Sequence, residues 1–519
     1  MASKSLFKSI AGKFLPKTNS VNSEQAPAYK FDDKHALAQL AATGCLNATF
    51  YASADDQLET VLKLAGNVAP EFVAKTALYS RTKGSMKDMP ALLCAILSVT
   101  SPGLMAEIFD RVIDSPKMLR NFVQIMRSGT VGRKSLGSLP KKLVQRWIDS
   151  RSDEQLFLGS VGNDPSLADI IKMVHPKPNT KAREALFAYL IGREYDASLL
   201  PEIVRQFEAF KKGETKDVPD VPFQMLTALP LGANEWKAIA KTASWQTTRM
   251  NLNTFARHGV FSEGQAMARM IAARLADKDL VRKARAFPYQ LMVAFMNVAA
   301  EVPREITDAL QDAMEIATHN VPELSGNVFV FPDVSGSMRN ASVTGARKGS
   351  TSKVRCVDVA ALVAASILRK NPHAEVIPFE QAVVSLQLNS RDTIMTNAGK
   401  LAAVGGGGTN CSAPLDLINR RKAAADTVIY VSDNESWVDA RHRNTTETMR
   451  QWNILKARCP KAKMVCIDLV PNITTQAAES GDILYIGGFS DSVFDVIAQF
   501  ASGSSNPNHW VDVIESERI

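Results

Sequence analysis

The chain of 519 residues lacks several features that would assign it to a specialised class. No apolar run approaches the roughly 18 residues that a membrane-spanning helix needs, so we expect no membrane partner. The six cysteines are scattered without a Cys-x-x-Cys pair, which favours a reduced, cytoplasmic setting over disulfides or zinc. There is no Gly-x-Ser-x-Gly motif, Walker loop or evident Cys-His pair, and we therefore expect a binding protein that is not an enzyme.

Positive charge is abundant but unevenly distributed along the chain. The formal net charge is +8. Residues 1–325 carry 41 basic and 34 acidic side chains, whereas residues 326–519 carry 20 and 19. A chain of this length predicts about two to four domains. The excess of positive charge therefore belongs to the N-terminal part of the protein.

The composition of residues 1–26 predicts a basic, flexible arm. Lys4, Lys8, Lys13 and Lys17 interrupt the apolar residues of this segment, and the first acid is Glu24. A mobile arm that adds nonspecific attraction for phosphate is favoured over an amphipathic transit peptide, which is the alternative that this composition leaves open.

From Phe31 to about Val321 nearly every segment has the spacing of a helix. Apolar residues recur three and four positions apart, and prolines and glycines fall at intervals typical of helical hairpins. Such a run predicts an α-solenoid of stacked helix pairs over residues 27–324. Because no strict repeat consensus is present, a HEAT-like array is favoured over TPR or ankyrin repeats.

Basic residues form two clusters within this helical region. Residues 111–151 contain ten basic side chains against two acids, and residues 241–285 contain nine against three. A single basic helix is usually a solvated face, but two such segments in one solenoid favour binding to the phosphate backbone of RNA. The candidate RNA contacts in these clusters are Arg127, Arg133, Lys134, Lys141, Lys142, Arg146, Arg249 and Arg285.

A short apolar run, Val328 to Phe331, predicts a buried parallel strand. It leads into Asp333, Ser335 and Ser337, at the end of the strand where open α/β sheets bind ligands. A carboxylate and two hydroxyls without Cys or His suit a hard cation such as Mg²⁺. An ordinary Asx or Ser turn is the alternative for this motif taken alone.

The pattern Asp-x-Ser-x-Ser resembles the metal-ion-dependent adhesion site of von Willebrand factor A domains. That resemblance implies two further ligands, a Thr from a second loop and an Asp after a later strand. Thr409 follows four glycines, and Asp433 follows the apolar run Thr427–Val431. Further strands at 374–378, 463–469 and 483–486 alternate with helices, which predicts a doubly wound α/β domain over residues 325–519.

The order of these parts resembles the TROVE-domain family of RNA-binding proteins, which contains the Ro 60 kDa autoantigen and bacterial orthologues. Short motifs in the same order support the likeness from about Ala26 to Gly503. They include Ala28-Tyr29-Lys30-Phe31, Gly132-Arg133-Lys134-Ser135, His175-Pro176-Lys177-Pro178, Arg249-Met250-Asn251-Leu252, Arg285-Ala286-Phe287-Pro288-Tyr289 and Cys466–Val470.

The resemblance implies a HEAT-like ring closed by a C-terminal von Willebrand factor A domain. It implies a monomer within a ribonucleoprotein that holds small Y-like noncoding RNAs and the single-stranded 3′ ends of misfolded RNAs, with an exoribonuclease as a further partner. It also adds His175 and Lys177 to the candidate RNA contacts. One departure is Gly159–Asp164, which stands where the family pattern has a Lys/Arg-rich stretch.

Two alternatives to RNA binding are also compatible with the sequence. The first is a protein-interaction scaffold in which a partner's carboxylate completes the metal. The second is a metal-dependent nuclease.

Overall fold

The computed structural model describes residues 15–43, 53–84, 86–262, 264–284, 288–318, 321, 323–341, 354–440, 445–470, 472–487, 492–502 and 509–519. The chain divides into two compact units. We call Met1–Asn67, Arg285–Asn297 and Met314–Ser516 the A-domain unit. Val68–Ala284, Val298–Ala313 and Glu517–Ile519 form the helical unit.

Helices dominate the chain before residue 318. In chain order the described helices are α1 (Asp33–Thr43), α2 (Ala54–Asn67), α3 (Pro70–Thr82), α4 (Asp88–Thr100), α5 (Pro102–Val112), α6 (Pro116–Ser128), α7 (Ser138–Asp149), α8 (Asp153–Leu158), α9 (Leu167–Val174), α10 (Lys181–Ile191), α11 (Glu202–Lys211), α12 (Phe223–Thr227), α13 (Ala233–Thr242), α14 (Trp245–Met250), α15 (Leu252–Arg257), α16 (Ala266–Leu275), α17 (Lys278–Ala284), α18 (Pro288–Met296) and α19 (Arg304–Ala317).

The remaining elements lie mostly in the A-domain unit. Its later helices are α20 (Gly336–Asn340), α21 (Cys356–Lys370), α22 (Ile394–Ala402), α23 (Ala413–Arg420), α24 (Glu447–Arg458), α25 (Ser492–Ala501) and α26 (His509–Glu515). The strands of the chain are β1 (Ser20–Val21), β2 (Pro27–Lys30), β3 (Val328–Pro332), β4 (Glu375–Val376), β5 (Thr427–Ser432), β6 (Lys463–Asp468), β7 (Thr474–Thr475) and β8 (Ile483–Gly487).

The helix breakers seen in the sequence start helices in the structure. Pro70, Pro102 and Pro116 each occupy the first turn of a helix, where a missing N–H costs nothing. Ser115 caps α6 by accepting a hydrogen bond from the backbone N–H of Met118. The helical array predicted for this region is therefore confirmed.

Hydrogen bonds within the helical unit recur at a spacing of about one helix pair, although the sequence shows no repeat of that length. Hydrogen bonds join residues 33 to 35 positions apart along much of the unit. The donors differ in type, and the acceptors include backbone carbonyls, as where Trp147 donates to Ile113 and Arg274 to Ala240. Stacked helix pairs are thus hydrogen-bonded to the preceding pair, although the bonded residues share no sequence motif.

The A-domain unit contains a five-stranded parallel sheet with the strand order β4-β3-β5-β6-β8. Every residue of β3 and β5 is buried, as expected for parallel strands covered on both faces. Each strand of this sheet overlaps one predicted from an apolar run, so the doubly wound α/β fold is confirmed. Because β3 and β5 are adjacent and parallel, their carboxyl ends meet at one edge of the sheet.

The N-terminal segment differs from the prediction of a flexible arm over residues 1–26. Residues 1–14 lie outside the described residues. Residues 20–30 form an antiparallel hairpin of β1 and β2, and β2 continues onto β7. Asn22, in the turn of this hairpin, is only 3% exposed. This part of the predicted arm is therefore ordered against the A-domain unit.

The described residues also bear on membrane spanning and on the state of the cysteines. None of the helices within them is both long enough and apolar enough to span a bilayer. The described cysteines are free thiols, and Cys94, Cys356, Cys411 and Cys466 are buried.

Candidate metal centre and nucleic-acid interface

The end of β3 places a carboxylate and two hydroxyls in one tight turn. Asp333 is fully buried, and its Oδ1 accepts a hydrogen bond from the backbone N–H of Ser335 at 2.8 Å. The hydroxyls of Ser335 and Ser337 lie 3.2 Å apart. The other carboxylate oxygen, Oδ2, accepts from Ser432 on the neighbouring strand at 2.6 Å. The turn thus presents oxygen donors close together.

A glycine loop brings Thr409 to the same edge of the sheet. The N–H of Gly406 donates to Val334 O at 2.9 Å, and the N–H of Gly336 donates to Gly407 O at 2.8 Å. A Cβ on Gly405, where φ is +88°, would lie 2.4 Å from Val334 O, so only glycine fits there. The glycine run therefore lets the backbone of this loop contact the backbone of the turn after β3.

The loop after β5 completes the arrangement. Asp433 is 2% exposed and begins this loop. Further along it, the N–H groups of Trp437 and Val438 both donate to Thr409 O at 3.1 Å. The five residues predicted as ligands, Asp333, Ser335, Ser337, Thr409 and Asp433, therefore occupy three loops that are hydrogen-bonded to one another.

The electrostatics of this edge fit a divalent cation. Burial, together with the charge of Asp433, raises the pKa of Asp333, and burial also raises the pKa of Asp433. Within the described ranges no Lys or Arg forms an ion pair with either carboxylate. Two buried carboxylates and neighbouring hydroxyls form an oxygen-only set that suits Mg²⁺. No group of three His, Cys, Asp or Glu side chains converges among the residues described, so a cation here would depend on hydroxyls and water as well.

The hairpin turn near the N-terminus contacts the loop after β5. This contact was not predicted from the sequence. The N–H of Ser23 donates to Glu435 Oε2 at 2.8 Å, and Asn22 Nδ2 donates to Ser436 O at 2.7 Å. Burial raises the pKa of Glu435 to about 7. No local pattern links residues more than 400 positions apart, so the sequence offered no indication of this contact.

In the helical unit, three predicted RNA contacts line one opening, which we call the basic cavity. Arg127, Lys134 and Lys141 surround a space of about 500 Å³ at the N-terminus of α7. Arg127 and Lys134 are exposed, and Lys141 is partly exposed. α7 begins after Gly137, which has no side chain to cap the first backbone N–H groups of the helix.

A second opening, the His175 cavity, is lined by residues of α9 and α10. Its volume is about 760 Å³, and its lining includes His175, Lys172, Lys181, Arg193 and Tyr195. Gln145 on α7 donates to Val174 O at 2.6 Å and thereby fixes the C-terminal end of α9. Only His175 of this lining was predicted. The others are spread over 24 residues of mixed charge, so charge density along the sequence did not reveal them.

The other predicted contacts are divided between surface and structural positions. Lys142 and Lys177 are exposed, while Arg146 is exposed and pairs with Asp110 at 2.8 Å. Two predictions need correction. Arg133 donates to Ser98 O at 2.7 Å and is partly buried, and Arg249 is only 9% exposed, so neither guanidinium lies free on the surface. Arg285 lies outside the described residues.

Comparisons with known proteins agree with this architecture. Residues 328–501 match the family model described as the Ro60 vWA domain. The chain is 24% identical to RNA-binding protein RO60 of Deinococcus radiodurans, over 96% of this chain and 99% of that protein. The crystal structure of the Deinococcus radiodurans Ro (RSR) protein matches with a TM-score of 0.63 and 20% identity, covering 91% of this chain and 100% of that chain. The fold class drawn from the sequence is confirmed by these matches.

Proposed function

Because the chain is Ro60-like in both sequence and fold, we propose that it binds small noncoding RNA. Its relative from Deinococcus radiodurans bears the name RNA-binding protein. The observation in this chain that supports the proposal best is the basic cavity, where Arg127, Lys134 and Lys141 surround one opening.

The basic cavity suits a phosphate group for two physical reasons. Three cations around one opening attract an anion and release its counterions on binding. The uncapped backbone N–H groups of α7 and the positive end of its helix dipole lie at the same opening. Contacts of this kind recognise the backbone and are independent of base sequence.

The His175 cavity suits an unpaired base. Tyr195 is 41% exposed and offers an aromatic face. Lys172, Lys181 and Arg193 can pair with a phosphate beside it, although Glu184, Glu194 and Asp196 in the same lining leave the cavity without net charge. Sequence-tolerant binding of single strands combines such faces with backbone attraction. We therefore propose that structured Y-like RNAs and the single-stranded 3′ ends of misfolded RNAs are both ligands of the helical unit.

In this proposal the protein is a monomer in a cytosolic ribonucleoprotein and is not itself an enzyme. It takes part in RNA quality control, processing or decay by presenting bound RNA to an exoribonuclease. Single-stranded 3′ tails should therefore compete for binding better than blunt duplexes of equal length, although the duplex has the higher charge density. Equal competition at fixed ionic strength would remove tail recognition from the proposal.

The three loops at the edge of the sheet are proposed as a Mg²⁺ site. Asp333, Ser335, Ser337, Thr409 and Asp433 would hold the ion, directly or through water. When bound, the ion supplies positive charge and open coordination positions for an anionic group of a partner. The residues themselves orient the donors: Ser432 and the N–H of Ser335 hold the Asp333 carboxylate in place.

The direct test is to sequence the RNA that copurifies with the protein. We expect one abundant, stem-rich small RNA with the wild-type chain and its loss when Arg127, Lys134 and Lys141 are all changed to Gln. A matched control changes Lys211, Lys212 and Lys216 to Gln, which removes the same charge from the end of α11 and the loop after it. Equal RNA recovery from both variants would contradict the proposal.

A second candidate is a metal-dependent protein-interaction scaffold. It is favoured by Trp437, which is 45% exposed in the loop bonded to Thr409. An exposed Trp beside a cation site is typical of a contact surface for protein. Pull-down of a protein that requires Mg²⁺ and Trp437, with no RNA in the complex, would favour this candidate over RNA binding.

A further inference from the structure

The A-domain unit contains a polar cavity that none of the five candidate metal ligands lines. It lies between α23 and α24 and has a volume of about 470 Å³. Asn410 and Ser412 line one wall, and Asp439 lies in the loop that leads towards α24. Cavities of roughly 300–1,000 Å³ are of the size that holds small ligands or single side chains. We call this space the Asp439 cavity.

The arginines of the Asp439 cavity are already neutralised by their own helices. Arg420 pairs with Asp416 one turn earlier on α23 at 2.7 Å. On α24, Arg450 Nε donates to both carboxylate oxygens of Glu447, at 2.9 and 2.8 Å. Arg450 Nη2 also donates to Glu447 Oε1 at 2.5 Å, so two nitrogens of this guanidinium bond one carboxylate. Each arginine therefore already has a carboxylate partner on its own helix, while part of each guanidinium stays exposed to solvent.

Asp439 is the charge in this cavity that has no counterpart. It is 8% exposed, and its Oδ1 accepts a hydrogen bond from Ser436 at 2.8 Å. Its Oδ2 is buried and has no hydrogen-bond partner within the described chain. Burial raises the pKa of Asp439, and the Ser436 hydroxyl opposes that shift; Ser412 also lies near the carboxylate, but its hydroxyl donates to Asn410 Oδ1 at 2.8 Å. A buried carboxylate oxygen without a donor is costly unless a ligand supplies one.

The chemistry of the cavity selects the class of ligand. Asp416, Glu447 and Asp439 are three acids against two arginines, so a phosphate or carboxylate ligand would meet net negative charge. Among the described residues no three acidic, His or Cys side chains converge here, so a bound metal ion would also depend on amide or hydroxyl oxygens and on water. An organic cation with N–H donors satisfies both the charge and the free oxygen of Asp439.

We propose that the Asp439 cavity binds a guanidinium or primary ammonium group, with Asp439 Oδ2 as its acceptor. Such a group is available from a free amine, such as a polyamine, or from an Arg or Lys side chain of a protein partner. This inference is independent of the RNA-binding proposal, because its residues lie on a different unit from the basic cavity.

The test is isothermal titration calorimetry of the full-length protein with agmatine and with a blocked tripeptide, acetyl-Gly-Arg-Gly-amide. We expect saturable binding of at least one of them, weakened about tenfold or more by Asp439→Asn, which corresponds to about 1.4 kcal/mol. The asparagine keeps an oxygen for Ser436, so the fold should survive, and thermal melting checks this. The control is Asp392→Asn, which removes an acid of the same unit that pairs with Lys400 and should leave binding unchanged.

Each outcome of this titration either identifies the source of the ligand or overturns the proposal. Tighter binding of the peptide assigns the site to a protein side chain, and tighter binding of agmatine assigns it to a free amine. Absence of saturable binding up to roughly 10 mM overturns the proposal. Equal binding by wild-type and Asp439→Asn proteins overturns it as well. Binding of inorganic phosphate or AMP that is lost in Arg450→Gln would show that the cavity selects anions, which also contradicts it.

Discussion

The helical unit and the A-domain unit place their charges in opposite ways. In the helical unit the cations of the basic cavity, Arg127, Lys134 and Lys141, reach the surface with their charge at least partly solvated. In the A-domain unit the carboxylates of Asp333 and Asp433 are buried at the end of a parallel sheet. Solvated cations attract an extended polyanion weakly at many points, whereas buried carboxylates favour one small cation strongly.

If the proposed function holds, the two units bind different ligands and should differ in how their binding responds to salt. RNA binding through exposed cations should depend steeply on salt. Binding of a cation among buried oxygens should depend on individual side chains and much less on ionic strength. Mutations should therefore be able to break either site while the other still binds its ligand.

The largest expected effect is on the metal site. Asp333→Ala should weaken Mg²⁺ binding by more than about 100-fold, because it removes a carboxylate that would hold the ion directly. RNA affinity should change less than about twofold, since the cations of the basic cavity are untouched. Calorimetry with Mg²⁺ and fluorescence anisotropy with labelled RNA measure the two affinities. Asp392→Ala serves as the control in both, and unchanged Mg²⁺ affinity in Asp333→Ala would refute the ligand assignment.

An intermediate effect is expected from the hairpin turn. Asn22→Ala removes an acceptor for the N–H groups of Glu24 and Ala26 and a donor to Ser436 O. We expect a decrease of about 1–3 kcal/mol in the free energy of unfolding, because buried groups are left unpaired. Mg²⁺ affinity should also fall, since the hairpin would no longer hold the loop that carries Asp433 through Ser436. Ser20→Ala is the control in denaturant unfolding, and a similarly small effect of both changes would count against this role.

The smallest expected effect concerns Asp468, which ends β6. Burial, with the charges of Asp433 and Glu435 beside it, raises the pKa of this carboxyl well above its ordinary value. The folded state then holds the proton more tightly than the unfolded state, so stability falls as pH rises towards the raised pKa. Asp468→Asn removes this dependence. In EDTA, the variant should gain stability over wild type at pH 8 and gain little at pH 4, and an equal difference at both would argue against it.

The sheet and the polar turns at its edge were predictable largely because their determinants are local. Val328–Phe331 and Thr427–Val431 are apolar runs of strand length, and the polar residues that follow each run must lie at one sheet edge. Thr409 was found through the family likeness and its glycines. Ser432 was missed although it immediately precedes Asp433, because a strand-ending serine has no distinctive pattern.

The parts that the sequence did not reveal depend on long-range contacts. β1 and β2 are two and four residues long, and β2 pairs with Thr474 and Thr475 far along the chain. The recurring hydrogen bonds of the helical unit often end on backbone carbonyls, such as Ile113 O, and a carbonyl leaves no trace in the sequence. Charge clustering located the basic cavity, but it also included Arg133, whose guanidinium is used to bind Ser98 O.

Binding of RNA phosphates by the exposed cations of the helical unit can be tested through the salt dependence of RNA affinity. Fluorescence anisotropy would measure this dependence for the wild type and for the variant with Gln at Arg127, Lys134 and Lys141. We expect weaker binding by the variant and a shallower slope of log affinity against log salt, by up to roughly 0.7–0.9 for each phosphate that the variant no longer binds. The control with Gln at Lys211, Lys212 and Lys216 should keep the wild-type slope. Identical affinity and slope for wild type and the basic-cavity variant would contradict the claim.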